Sequence, residues 1–185
     1  MRIIAGTLGG RRYDIPGGLA ARPTAERVRE SLFSILRGRI EGALVLDLFA
    51  GSGALGIEAL SLGAACAVFC DIDRRAATAI GAVLRRFGVP EDRYEILASD
   101  FRQALGRFGR EGRRFDVAFI DPPYGADFEA AALASLCGEL MARSGVVVLE
   151  RSRRQPPPAI PAGWTADERR YADTALFILK REEAP

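Results

Sequence analysis

The sequence predicts an α/β fold: a mostly parallel sheet with helices on both faces, preceded by an N-terminal β-hairpin/helix extension. Three observations predict it. From residue 43 onward, short apolar runs alternate with longer stretches of helical periodicity. The runs are almost uniformly apolar, as strands covered on both faces must be. One of them ends in a glycine-rich turn, the usual exit from strand to helix in such sheets.

The chain has 185 residues, enough for one domain with a small appendage. The expected division is 1–40 for the extension and 41–185 for the main domain. Residues 2–5 and 11–15 read as two short strands, with Gly6, Gly9 and Gly10 in the turn. Pro16-Gly17-Gly18 ends that unit. Thr24 reads as the N-cap of a helix reaching about Arg37. Val28, Leu32, Ile35 and Leu36 share one face of it, and Arg27 and Arg29 lie away from the centre of that face. Strands are predicted over 43–48, 66–71, 94–98, 115–120 and 145–150. Helices are predicted over 54–62, 74–87, 101–109 and 127–141. After Pro156-Pro157-Pro158, residues 164–171 and 174–180 form a closing strand pair with Asp173 near the turn.

Composition narrows the function. Apolar residues make up 49% and charged residues 27%, ordinary for a globular domain with its own core. No apolar run approaches the roughly 18 residues of a membrane span, and MRIIAGTLGG lacks the apolar core of a signal peptide. The reading is of a cytoplasmic protein without membrane partners. Cys66, Cys70 and Cys137 are an odd set, which argues against a disulfide framework. Cys66 and Cys70 fall in a predicted strand and read as core. There is no histidine, so the commonest general base and the commonest metal ligand are missing. Chemistry that needs neither is favoured, and no metal is expected.

Net charge is +2 but unevenly spread. Residues 1–40 hold eight arginines against Asp14, Glu26 and Glu30. Such a basic stretch suits a phosphate-rich partner. It equally suits an arginine-rich composition, since Lys180 is the only lysine, and both readings stay open on this feature.

The run Asp47-Leu48-Phe49-Ala50-Gly51-Ser52-Gly53-Ala54-Leu55-Gly56 satisfies GxGxxG between a strand and a helix. Glycines there let the chain turn tightly and let a ligand approach the backbone. Asp71 ends the next strand, where an acid can accept both hydroxyls of a ribose. Asp73 is more simply a helix N-cap. To this point either NAD or S-adenosylmethionine fits. Asp47, at its strand end, can face a cationic ligand, whereas a dinucleotide needs an entrance suited to pyrophosphate. Asp100 can accept an adenine amino group while also capping the helix from Phe101. Acids at successive strand ends suit a positively charged cofactor.

Asp121-Pro122-Pro123-Tyr124 follows the strand 115–120. Two prolines stiffen the turn and supply carbonyls without N–H groups. The loop therefore presents acceptors, from the Asp121 carboxylate and the peptide carbonyls. An exocyclic base amino group is a poor nucleophile, because its lone pair is delocalised into the ring. Two acceptors on its hydrogens hold the nitrogen and aim a lone pair at a sulfonium methyl. Tyr124 can stack on the base, worth about 1–3 kcal/mol. These residues select an amino group, not one base.

With these motifs the chain resembles class I S-adenosylmethionine-dependent methyltransferases. More narrowly, it is similar to the bacterial 16S rRNA (guanine-N2)-methyltransferases, the RsmD-like group. The similarity runs through Arg2–Gly6, Gly10-Arg11, Arg22-Pro23-Thr24, Arg27–Phe33, the glycine run 47–64 and residues 121–124. The resemblance implies a Rossmann-like seven-stranded sheet with a reversed last strand and an N-terminal hairpin that helps bind rRNA. It implies Asp121, Pro122, Pro123 and Tyr124 as the catalytic loop. For the cofactor it implies Arg22 and Thr24 near the methionine end, with Asp47, Phe49, Ala50, Gly51, Gly53, Asp71, Ile72, Asp100 and Phe101 around the rest. For RNA it implies Arg2, Arg11, Arg12, Arg27 and Arg29, acting on 16S rRNA within the 30S subunit or a late assembly intermediate, as a monomer. There are two departures: Asp71 stands where glutamate is frequent, and Ala172 where glycine is. A DNA adenine-N6 methyltransferase shares the tetrapeptide but needs more sequence for target recognition. A nicotinamide-dependent oxidoreductase would leave the tetrapeptide without a role, and a non-catalytic RNA-binding module would not need Asp121.

Overall fold

A computed structural model describes residues 1–14, 26–122 and 128–182. Seven strands form one sheet: β1 (Leu44–Asp47), β2 (Cys66–Asp71), β3 (Tyr94–Ala98), β4 (Phe115–Ile120), β5 (Met141–Ser152), β6 (Trp164–Tyr171) and β7 (Thr174–Arg181). Five helices accompany them: α1 (Glu26–Ile35), α2 (Ala54–Ser61), α3 (Arg74–Arg86), α4 (Phe101–Arg110) and α5 (Phe128–Ser135). The strand order is β3-β2-β1-β4-β5-β7-β6. β1 to β5 run parallel, and β7 is antiparallel to both of its neighbours. This is the Rossmann-like sheet with a reversed last strand that the resemblance implies.

The uniformly apolar strands follow from two cores, one on each face. Val45, Ala67, Phe69, Val117, Phe119, Val146 and Val148 join α1, α2 and α3 on one side. Leu46, Val68, Cys70, Ala118, Ile120, Val147 and Leu149 join α4 and α5 on the other. Successive side chains point to opposite faces, so a strand buried on both must be apolar at every step. Each fully buried Leu, Val or Phe contributes about 1.5–3 kcal/mol relative to exposure.

The boundaries differ from the periodic reading in three places. The N-terminal strands reduce to a single antiparallel bridge, Arg2 to Arg12, supported by Ile3 N donating to Arg11 O and Gly10 N to Ile3 O. Ile3, Leu8 and Tyr13 enter the same apolar cluster as Val45 and Ile57, so packing rather than a long ladder holds this segment. The helix predicted over 127–141 ends at Ser135 and continues as one wider π turn, Leu136–Leu140. β5 then starts at Met141, because Met141 already pairs with Phe115 before an irregularity in register. In α1, Phe33 is buried against the Phe119 ring at 5.8 Å, whereas Ile35 is only half-buried. The proposed Thr24 cap lies outside the described residues.

Candidate active site

The C-terminal ends of the four parallel strands β1 to β4 each deliver an aspartate. Asp47 ends β1, Asp71 ends β2, Asp100 follows β3 by two residues, and Asp121 directly follows β4. The sheet order makes β3, β2, β1 and β4 consecutive, so these acids share one edge of the sheet. In an open α/β sheet that edge is the ligand crevice.

The glycine loop is built by these same acids. Gly51 N–H donates to Asp71 Oδ2 at 2.7 Å, and Asp73 N–H donates to Asp71 Oδ1 at 2.8 Å. Gly56 N–H donates to Asp47 Oδ2 at 3.0 Å. Gly53 starts α2 in the left-handed region at φ 72°, which an L side chain adopts only at a cost. A Cβ at Gly56 would run into the Phe69 ring, so this glycine sets the contact of α2 with β2. Gly51 has only Phe49 O, at 3.9 Å, near the place a Cβ would occupy, which leaves its backbone approachable.

Asp47 corrects the sequence reading in part. It is 3% exposed and turned inward to Gly56, rather than simply facing a ligand. Burial pushes its carboxyl up to about 7, the Gly56 N–H opposes that rise, and Asp121 and Asp71 reinforce it. Asp71 likewise serves the chain first, spending one lone pair of each oxygen on the backbone. Each oxygen keeps a second lone pair. Asp73 caps α3 by accepting from Arg75 N at 2.8 Å. Asp100 caps α4 by accepting from Arg102 N at 2.8 Å.

The crevice has an apolar part. Ile72 is 74% exposed, the one large hydrophobic residue so exposed among the described residues. Phe49 and Phe101 lie 5.1 Å apart, and Phe128 stands 6.2 Å from Phe49 and 5.4 Å from Phe101. Phe128, at the start of α5, was not among the sequence candidates. Its signal was its place just beyond the tetrapeptide. Asp121 and Pro122 are described, Asp121 half-buried and Pro122 buried; Pro123, Tyr124, Arg22 and Thr24 lie outside the described residues.

The N-terminal segment is fastened to the helix that the glycine loop opens. Glu58, 1% exposed in α2, accepts from Ile4 N at 2.9 Å and Ala5 N at 2.9 Å. Ser61 Oγ accepts from Leu8 N at 2.9 Å and donates to Ala5 O. Tyr13 is buried, which pushes its phenol up, and Ser52 of the glycine loop is among the groups that oppose that rise. Arg29 requires a correction. It is 3% exposed and donates to Arg2 O at 2.7 Å, so it braces the hairpin instead of presenting charge to RNA. Arg2, Arg11, Arg12 and Arg27 are exposed. The Cys70 and Cys137 thiols are buried and pushed up to about 12, as expected of core residues.

The donors fit a cationic, adenosine-bearing group. Four carboxylates line the edge, an approachable glycine backbone lies beside them, and an exposed Ile72 follows Asp71. No group of His, Cys, Asp and Glu among the described residues is arranged to hold a metal ion. No described helix is long and apolar enough to cross a membrane.

A family model described as "Conserved hypothetical protein 95" matches residues 1–180. The chain is 34% identical over 184 residues to "Putative rRNA methyltransferase YlbH" of Bacillus subtilis, covering 98% of this chain and 99% of that one. It is 33% identical over 186 residues to "Ribosomal RNA small subunit methyltransferase D" of Escherichia coli, covering 100% and 91%. Among solved structures, "Putative methyltransferase yhhF" from Escherichia coli superposes with TM-score 0.87 at 29% identity, covering 100% and 99%. "SMU.776, a putative methyltransferase complexed with SAH" shares the fold at TM-score 0.67 and 16% identity, covering 83% and 48%.

Proposed function

The chain belongs to the family described as conserved hypothetical protein 95, the RsmD-like methyltransferases, and on that premise we propose that it transfers a methyl group from S-adenosylmethionine to the exocyclic N2 amino group of a guanine in 16S rRNA. The substrate in this reading is the small ribosomal subunit or a late assembly intermediate, met by a protein monomer. The observation that carries it is the line of Asp47, Asp71, Asp100 and Asp121 on one edge of the sheet, with the glycine loop between the first two.

When bound, the cofactor supplies an electrophilic methyl carbon on a positively charged sulfur. The chain's own residues do the rest. Asp71 offers the ribose its remaining lone pairs, and its bonds to Gly51 and Asp73 hold it in position. Asp100 accepts from the adenine amino group while capping α4, with Ile72 and Phe101 beside it. Asp47 places negative charge near the cationic end, and Phe49, Ala50, Gly51 and Gly53 provide the loop wall. By the resemblance, Arg22 and Thr24 would lie near the methionine end.

Asp121 and the carbonyls of Pro122 and Pro123 accept the two hydrogens of the target amino group, and Tyr124 stacks on the base. This arrangement aims the nitrogen lone pair at the methyl carbon. With the cofactor bound, the methyl would pass from sulfur to that nitrogen. The Asp121 carboxylate would receive the proton that the alkylated nitrogen loses, so no histidine is needed. Orientation and fixed charge carry the rate.

The test is incubation with labelled S-adenosylmethionine and 30S particles lacking base methylation, followed by nucleoside analysis. Label is expected in N2-methylguanosine from 16S rRNA. A protein that binds S-adenosylhomocysteine yet leaves the rRNA unlabelled would sink the reading.

A further inference from the structure

We propose that the N-terminal hairpin and the C-terminal end of α3 together form a phosphodiester clamp built on Phe87, in which Arg11 and Arg86 grip the RNA backbone. The proposal rests on the reading of RNA as substrate and extends the hairpin contact implied by the resemblance to the end of α3, through Arg86 and Phe87. The carbon at the centre of the Arg11 guanidinium lies 5.4 Å from the Phe87 ring centroid, and that of Arg86 lies 4.9 Å from it. The two cations therefore share one ring. Tyr13 meets that ring edge-on at 6.3 Å from the buried side.

The two segments hold each other's arginine. Arg11 Nη1 donates to Phe87 O at 3.2 Å, and Arg86 Nη2 donates to Arg12 O at 2.7 Å. A guanidinium has five N–H donors. One bond on each fixes the head group and leaves the remaining donors for a ligand. Both side chains belong to exposed residues.

A second arginine-on-phenylalanine contact in the same molecule provides the comparison. Arg113 sits 5.2 Å from the Phe108 ring centroid, but it is ion-paired with Glu95 at 2.6 Å and with Glu111 at 2.9 Å. That cluster is neutralised internally. At Phe87 no described carboxylate ion-pairs with Arg11 or Arg86, and a second arginine stands where the acids would be. Arg12 and Arg85 are exposed beside them and add to the positive field. Each of the two pre-oriented guanidiniums, without counter-acids, matches the bidentate acceptors of its own backbone phosphate. Neither segment completes the clamp alone, which accounts for the mutual hydrogen bonds.

Counterion release measures the clamp. Each phosphate neutralised contributes roughly 0.7 to 0.9 to the slope of log binding constant against log salt. The R11Q/R86Q double variant is expected to bind protein-free 16S rRNA with a slope smaller by about 1.5 than the unaltered protein. Its affinity for S-adenosylhomocysteine should be unchanged, and R11K/R86K should keep the slope. An unchanged slope in a Gln variant that still binds S-adenosylhomocysteine overturns the clamp. Should the Gln variant fail to fold, phenylglyoxal modification of the unaltered protein decides: RNA must protect Arg11 and Arg86, and modification of both at the RNA-free rate overturns it. If the unaltered protein binds neither protein-free 16S rRNA nor 30S particles, the substrate reading falls and takes the clamp with it.

Discussion

Replacing Asp47 by Asn should make the ligand-free protein more stable at neutral and alkaline pH, but not in acid. The Asp47 carboxyl is buried and pushed from 3.8 up to about 7. Its folded form therefore holds a proton that the unfolded form has already lost between those two values. Stability from this group must fall as pH rises through that window, because the unfolded chain binds fewer protons there. Each pKa unit corresponds to about 1.36 kcal/mol, so the full penalty above pH 7 is about 4 kcal/mol. That is a large share of the roughly 5–15 kcal/mol by which a typical domain is stable. Asn is nearly isosteric, keeps an oxygen for the Gly56 N–H, and carries no charge at any pH. Urea unfolding of both proteins, at about pH 4 and about pH 8, isolates the charge, because all other titrating groups are common to the pair. The Asn variant should gain by up to about 4 kcal/mol at the higher pH relative to its standing at the lower one. A stability difference that stays constant across the range would refute the reasoning, since Asp47 would then titrate as an ordinary carboxylate. The inference extends to the bound state. A cationic ligand near Asp47 offsets the buried charge, so cofactor affinity should rise with pH across the same window.

Four further outcomes are expected. Asp121→Ala should lower the methylation rate by roughly 100-fold or more while leaving the affinity for S-adenosylhomocysteine largely intact, as read by radiolabel transfer and calorimetry. Gly56→Ala should destabilise by about 1–3 kcal/mol in chemical denaturation, because the added methyl meets the fully buried Phe69 ring. Glu58→Gln should cost about 1–3 kcal/mol and speed hydrogen exchange at Ile4 and Ala5, which must then share Oε1 because the NH2 that replaces Oε2 cannot accept. Ala172→Gly should raise the melting temperature, with a gain of about 0.5–1 kcal/mol. Ala172 sits at φ 34° in the two-residue turn between β6 and β7, where glycine is at ease.

The strands were legible because burial on both faces leaves a nearly unbroken apolar run, and the glycine loop because its spacing is backbone chemistry written in residue types. Ala172 was legible too: an alanine in a glycine's place marks the one non-glycine residue with positive φ among those described. Other roles were hidden because they depend on partners distant in sequence. Arg29 looks like surface charge until Arg2 O is found to receive it. Glu58 gave one local signal, a lone acid in the apolar helix ALGIEALS, but its acceptance of Ile4 and Ala5 N–H groups links residues more than fifty positions apart. Asp47 and Asp71 were correctly seen as acids at strand ends. Their hold on Gly56 and Gly51 could not be read from spacing, because it requires knowing which way each carboxylate turns. Periodicity also missed the early start of β5, which a neighbouring strand decides through the Met141–Phe115 pairing.

The strand order has a consequence for how the molecule is made. β7, the last strand synthesised, lies between β5 and β6, and β6 joins the sheet only through it. A nascent chain that has emerged as far as Tyr171 therefore carries β6 with nowhere to dock and β5 with an open edge. Such an edge is a site for pairing with other chains. The sheet can close only when residues up to Arg181 have left the ribosome. The final step in closing this sheet is then the insertion of an interior strand.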